Sequence, residues 1–137
     1  MMEWKEQFRT GSDTIDRQHM ALIQNINYLE CLLTETNTTK ETCDFLVHLI
    51  DFLETYAQEH FRFEEDCMTR HQCPAHAINK EAHEAFMAFL EQYKEETRHK
   101  GFHLDIVRAL HQTMSLWIEE HILRVDIQLK PCLKIGN

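Results

Sequence analysis

Three glycines and two prolines are all that punctuate this 137-residue chain. Glycine and proline supply the backbone angles that tight turns need. A chain so poor in them has few turns and must be built from a small number of long elements. At this length long elements mean helices, so the expected class is all-α, and the chain is long enough for one domain with a real core. Apolar residues recur in steps of three and four along four stretches, the period of a helix with one buried stripe. The first runs Ile15, His19, Leu22, Ile23, Ile26, Leu29 and Leu33, behind Ser12 or Asp13 as the cap. Asn37-Thr38-Thr39 interrupts it. Thr38 with Glu41 then forms a capping-box signature, and the next stripe reads Phe45, Leu46, Leu49, Leu53, Tyr56, His60, Phe63, Glu64 and Cys67. Gln72-Cys73-Pro74 ends that helix, and Pro74 suits the start of a third, which shows Asn79, Ala82, His83, Phe86, Leu90 and Tyr93 before stopping at Gly101. The fourth reads Leu104, Val107, His111, Met114, Trp117, Ile118, His121 and Val125 and ends at Pro131. Short connections between such helices predict an up-down-up-down four-helix bundle over residues 13–131. An N-terminal arm, residues 1–12, precedes it, pinned by Trp4 and Phe8.

The formal net charge is -9 and no basic stripe is present, which argues against nucleic acid and against an anionic membrane surface as partners. No apolar run approaches the ~18 residues of a membrane helix. Met1-Met2-Glu3-Trp4-Lys5 has no apolar signal-peptide core, so a cytoplasmic protein is expected. Cys31, Cys43, Cys67, Cys73 and Cys132 make an odd count without a Cys-x-x-Cys pair, and all are expected as reduced thiols. Cys67, His71, Cys73 and His76 lie close in sequence but lack the paired spacing of structural zinc motifs.

Each helical stripe also carries metal-ligand residue types: His19 on the first, His60 and Glu64 on the second, His83 on the third, His121 and Asp126 on the fourth. The four-residue step from His60 to Glu64 places one above the other on one helix face. A single buried histidine is ordinarily a satisfied core residue. A buried ionised carboxylate without a partner costs several kcal/mol. Two carboxylates among four histidines therefore call for a cation between them, the competing reading being salt bridges to protonated histidines. Neutral imidazole with carboxylate is the usual transition-metal mixture and suits iron, with zinc, manganese or cobalt open. Carboxylate-rich di-iron bundles use two Glu-x-x-His motifs; this chain has Glu96-Thr97-Arg98-His99 alone, with Asp16-Arg17-Gln18-His19 the nearest other case. A nitrogen-rich centre is expected instead. Around it, Glu65 is expected on the surface, Trp117 in packing near the site, His111 as a core hydrogen-bonder and Arg124 reaching solvent.

Gly11-Ser12-Asp13-Thr14-Ile15-Asp16-Arg17-Gln18-His19, His60-Phe61-Arg62-Phe63-Glu64-Glu65 with Met68, Pro74 followed by His83-Glu84-Ala85-Phe86, and Trp117-Ile118-Glu119-Glu120-His121-Ile122 with Asp126 form a specific set. As a set they resemble the hemerythrins, specifically the bacterial single-domain type, from Trp4 to Leu129. The resemblance implies one hemerythrin-like domain over residues 1–137 and a non-haem pair of Fe ions, cycling between Fe2+ and Fe3+, with an oxo or hydroxo bridge and O2 as reversible ligand. By motif position His19 and His60 would hold the iron that takes O2, His83 and His121 the other, and Glu64 and Asp126 would bridge them. Leu22, Ile23 and Ile118 would line a dry O2 pocket. The implied role is O2 storage, delivery or sensing rather than enzymatic turnover, with an unidentified protein partner needed for sensing.

The family pattern breaks at one position. The family has a third histidine on the second iron, five residues after the proline and four before the next histidine, and both counts arrive at Asn79. Asn79 is expected to coordinate weakly through its amide oxygen, to hydrogen-bond a water, or to be replaced by His76, which points about 60° away along the helix. Each outcome weakens the second iron. The alternative function is accordingly a di-iron enzyme that reduces peroxide or handles nitric oxide at the position Asn79 leaves open; a third is an iron-storage or metal-responsive module.

Overall fold

The structure, a computed structural model, describes residues 1–34 and 39–135. Four long helices carry it: α1 (Asp13–Thr34), α2 (Lys40–Arg70), α3 (His76–Lys100) and α4 (Leu104–Arg124), with no strand among the described residues. α1 packs on α2 and α4, and α3 packs on the same two, closing a four-helix ring. Four helices packed in such a ring give the bundle expected from the periodicity. Leu22, Ile26 and Leu29 of α1 meet Leu46 and Leu53 of α2, Phe86 and Leu90 of α3, and Val107, Leu110 and Met114 of α4 in one core.

The helix ends follow local chemistry. Ser12 Oγ accepts the Ile15 amide at 3.3 Å and caps α1. Thr39 Oγ1 accepts the Thr42 amide at 3.1 Å, so Thr39 caps α2; Thr38, expected in a capping box, lies outside the described residues. Gly101 closes α3 at a φ of 80°, its N–H donating to the Thr97 carbonyl at 2.8 Å. Between α2 and α3, Gln72 takes the left-handed position at a φ of 50°. The α2 stripe differs from expectation at two phenylalanines. Phe45 is 46% exposed and stands edge-on to Tyr28, whereas Phe61 is 3% exposed. Phe45 sits about 100° behind Leu46 around the helix, and Leu46 takes the inward position.

The C-terminal boundary differs more. α4 does not run to Pro131. It ends at Arg124, Asp126–Gln128 form a 3-10 turn, and a short α5 (Leu129–Ile135) follows. Pro131 lies in the first turn of α5, where a backbone N–H has no helical partner to lose. The break at Val125 turns the chain so that Asp126 is buried, at 1% exposure. A second, smaller cluster of Ile15, Cys67, Met68, Cys73, Ala75, Leu129 and Cys132 packs there. Within it the structure joins Cys73 to Cys132 in a disulfide, against the expectation of reduced thiols throughout; Cys31, Cys43 and Cys67 are free. The two partners are 59 residues apart in sequence, and only the return of α5 onto the α2–α3 turn brings them together.

The arm is fastened at several points. The Met2 backbone exchanges two hydrogen bonds with the Asn27 side chain, at 3.0 and 2.8 Å. Phe8 is buried with Trp4 edge-on at 5.5 Å. The Thr10 amide and hydroxyl both donate to buried Asp16 Oδ1, each at 2.9 Å. Gly11 follows at a φ of 96°, and a Cβ there would stand 3.2 Å from Leu133 Cδ1, so the arm and α5 meet at a position that only glycine fills without strain.

Candidate metal centre

The bundle brings His19, His60, Glu64, His83, His121 and Asp126 together, all at or below 7% exposure. Their positions resolve into two groups that share both carboxylates: His19, His60, Glu64 and Asp126, and Glu64, His83, His121 and Asp126. Glu64 Oε2 lies 3.3 Å from His19 Nε2 and 3.3 Å from His60 Nε2, while its Oε1 lies 3.3 Å from His83 Nε2. Asp126 does the same from the other side: Oδ2 is 3.0 Å from His19 Nε2 and Oδ1 is 3.0 Å from His121 Nε2. Each carboxylate thus gives one oxygen to each histidine pair, the arrangement in which a carboxylate bridges two cations.

The rings are locked from behind. His60 Nδ1 lies 2.6 Å from Gln18 Oε1 and His83 Nδ1 lies 2.8 Å from Glu65 Oε2. Both partners are acceptors, so each Nδ1 carries a proton, and each ring when neutral has its Nε2 lone pair to give to a cation. Glu65 is therefore not a surface bystander: α2 sends Glu64 inward and Glu65 across to α3. Phe61 stacks on His83 at 3.9 Å and 9° between planes, and Trp117 on His121 at 4.3 Å and 12°. Gln18 and Glu65 were not assigned from the sequence. Their signal, a polar residue next to a ligand in the chain, is too common to single out.

Electrostatics explain why the cluster tolerates burial. Burial alone would raise the Glu64 carboxyl, but the imidazoles of His19, His60 and His83 hold it well below the ordinary carboxylate range. Burial works against charge on His19 too, and the Asp126 and Glu64 carboxylates overcome it, raising that imidazole from 6.5 to about 10. On His60 burial wins, and the ring is held neutral. His83 is raised against its burial by Glu64 and Glu65. With protons as the counter-charge, a His19 imidazolium between two carboxylates offsets only one of their two charges. Nδ1 and Nε2 of His19, Oε2 of Glu64, Oδ1 of Asp126 and Oδ1 of Asn79 are buried without an aligned hydrogen-bond partner. His83 and His121 meanwhile face each other Nε2 to Nε2 at 3.1 Å. Close but misaligned donors of this kind fit a shell built for cations better than a hydrogen-bond network, and imidazole with carboxylate is a transition-metal donor set.

Asn79 is fully buried at this centre. Its Nδ2 donates to Glu64 Oε1 at 2.6 Å and lies 3.4 Å from Met68 Sδ. A carboxylate only accepts, so the amide nitrogen must be the atom facing it. His76 is half-buried and is not part of either group. Leu22, Ile23 and Ile118 are buried in the main core. Arg124 is exposed, as expected; His111 is half-buried, within 3.5 Å of Ser115 Oγ.

Residues 10–133 match the family model described as the hemerythrin HHE cation binding domain. The chain is 29% identical to a bacteriohemerythrin of Stenotrophomonas maltophilia over 122 residues, 89% of this chain and 74% of that one. It is 29% identical to a bacteriohemerythrin of Clostridium acetobutylicum over 128 residues, 92% and 96% of the two chains. A third, from Pseudomonas paraeruginosa, is 28% identical over 123 residues, 90% and 75%. With a matched stretch that spans nearly the whole bundle, and a buried histidine–carboxylate cluster able to hold metal at its heart, the chain belongs to the hemerythrin family.

Proposed function

We propose that this chain is a di-iron protein that binds O2 reversibly, as a store, carrier or sensor, with residues 1–137 acting as one unit. The observation that carries the reading is the sharing of Glu64 and Asp126: each presents one oxygen to the His19–His60 pair and the other to the His83–His121 pair. His19 and His60 would hold one iron and His83 and His121 the second, with Glu64 and Asp126 serving both. When bound, the two ferrous ions supply the electrons that O2 takes up and gives back. The chain's own residues do the rest. Gln18 and Glu65 fix the tautomers of His60 and His83. Leu22, Ile23, Ile118 and Phe61 form dry walls that keep water from the ligand.

Asn79 shapes the second half of the site through its Nδ2, which holds Glu64 Oε1. Its amide occupies one lone pair of Glu64 Oε1. Each half is then left with two imidazoles and two carboxylate oxygens. That symmetry favours a second reading, in which the His83–His121 half also takes an exogenous ligand and the protein reduces peroxide or handles nitric oxide. Anaerobic ferrous loading with a metal count, followed by visible spectra in air and after degassing, separates the two. Two irons per chain and a band that fades on degassing support the O2 binder. Two irons per chain with immediate bleaching in air support the enzyme, and one iron per chain counts against both di-iron readings.

A further inference from the structure

The geometry points to Cys73 and Cys132 as a reversible dithiol–disulfide couple that sets how firmly the metal centre holds its ions. This rests on the di-metal reading above, but on different residues. Cys73 lies in the turn between α2 and α3, and Cys132 lies on α5. Each leads directly into the centre. From Cys73 the chain passes Ala75, whose carbonyl accepts the Asn79 amide N–H at 2.9 Å, and Asn79 in turn holds Glu64. From Cys132 the chain runs back through Leu129 to the 3-10 turn that begins at Asp126. Both sulfurs lie 3.5 Å from the carbonyl oxygen of Gln128, the last residue of that turn. The bond therefore ties together the two backbone segments that deliver Asn79 and Asp126, and both shared carboxylates feel it.

Among the described residues, few side chains besides this link hold α5. α5 is seven residues long and is seated by Leu129, Cys132 and Leu133 on the small cluster with Ile15, Cys67, Met68 and Ala75. An element so short does not hold its own helix in water. When the sulfur link opens, the segment carrying Asp126 is free to open locally, as the least-packed parts of a fold do first. Cys67 shares the cluster but stays outside the couple: burial pushes its thiol up, away from the nucleophilic thiolate.

The oxidant class is a hydroperoxide, hydrogen peroxide in the simplest case. One thiol takes a hydroxyl from it, giving a sulfenic acid and one water. The second thiol displaces that hydroxyl as a second water, closing the S–S bond. Each sulfur gives up one electron, and the peroxide O–O bond accepts both. A small dithiol reverses the couple by exchange. Oxidation thus tightens the grip on the metal and reduction loosens it.

The test uses the full chain in two redox states. Chelated protein is equilibrated with dithiothreitol or with hydrogen peroxide, alkylated and weighed. Two of the five cysteines, mapped to Cys73 and Cys132, are expected to escape alkylation in the oxidised state alone. Protein loaded with Fe2+ without air, or with Zn2+, is then challenged with a chelator in each state. Release is expected on the order of tenfold faster after reduction, the low end of what loosening an outer support of a metal ligand does. Cys73→Ser/Cys132→Ser should release at the fast rate in both states, and Cys67→Ser should behave as wild type. The wild-type comparison needs no substitution, so a poorly folding variant does not decide the matter. All five cysteines alkylating in both states overturns the couple. Equal release rates from loaded protein overturn its link to the centre. No metal uptake in either state defeats the di-metal reading itself, and the link with it.

Discussion

His19 sits where Glu64 and Asp126 meet, and its proton decides how the fold behaves without metal. Its imidazolium persists to about 10 against an ordinary 6.5. A histidine whose folded-state pKa is raised contributes stability that is complete below the unfolded value and fades as pH climbs through the folded one. The metal-free protein should therefore lose stability from pH 6.5 up to about 10. At ~1.4 kcal/mol per pH unit the whole loss is about 5 kcal/mol. The lowered Glu64 carboxyl is the other side of the same contacts and is not added again; its contribution fades in the opposite direction, as pH falls below the ordinary 4.5. A domain of this kind is held by only ~5–15 kcal/mol, so the chelated protein should approach unfolding at the alkaline end. A bound cation replaces the proton, so the loaded protein should show little of this slope and should release about one proton from His19 on loading at neutral pH. Urea unfolding of chelated wild type, loaded wild type and chelated His19→Gln across that pH range measures all three. A flat profile for chelated wild type, or the same slope in His19→Gln, refutes the reasoning.

Asn79→His should leave two irons per chain and lengthen the life of the O2 adduct several-fold by closing the second half of the site, read by the decay of the visible band; unchanged metal content and lifetime would count against any role for this asparagine. Glu65→Gln keeps the side-chain shape but weakens the grip on His83 Nδ1, and should lower metal affinity by roughly tenfold in competition with a chelator. Reducing the Cys73–Cys132 bond opens a loop of 59 residues in the unfolded chain. It should destabilise the metal-free protein by about 4 kcal/mol in the chain-entropy description, read by urea unfolding with and without dithiothreitol.

Helix content and the metal-ligand residue types were legible because both follow from local periodicity. A carboxylate on an apolar stripe, as at Glu64, has few physical excuses. The misreadings share one cause, which is that the decisive contacts lie across the bundle. Glu65 looked exposed from its place on α2, yet its partner His83 comes from α3. Phe45 and Phe61 both fit a stripe loosely, and only the neighbouring helices choose between them. Pro131 reads as a stop, but a proline in a helix's first turn reads the same way from sequence. The disulfide depends on α5 folding back onto the α2–α3 turn, which no local pattern announces. Asn79 was located by counting, but the direction of its amide depended on Glu64, fifteen residues away in sequence.

The stacking of Trp117 on His121 gives the protein a built-in optical gauge. The indole lies 4.3 Å from the imidazole with 12° between their planes, while the other tryptophan, Trp4, belongs to the arm, edge-on to Phe8. A transition-metal ion arriving at His121 falls within quenching range of the stacked indole. Emission from wild type and from Trp4→Phe should dim together as ions enter, and Trp117→Phe should lose the larger part of that response. Occupancy of the His83–His121 half could then be followed in real time and without dyes.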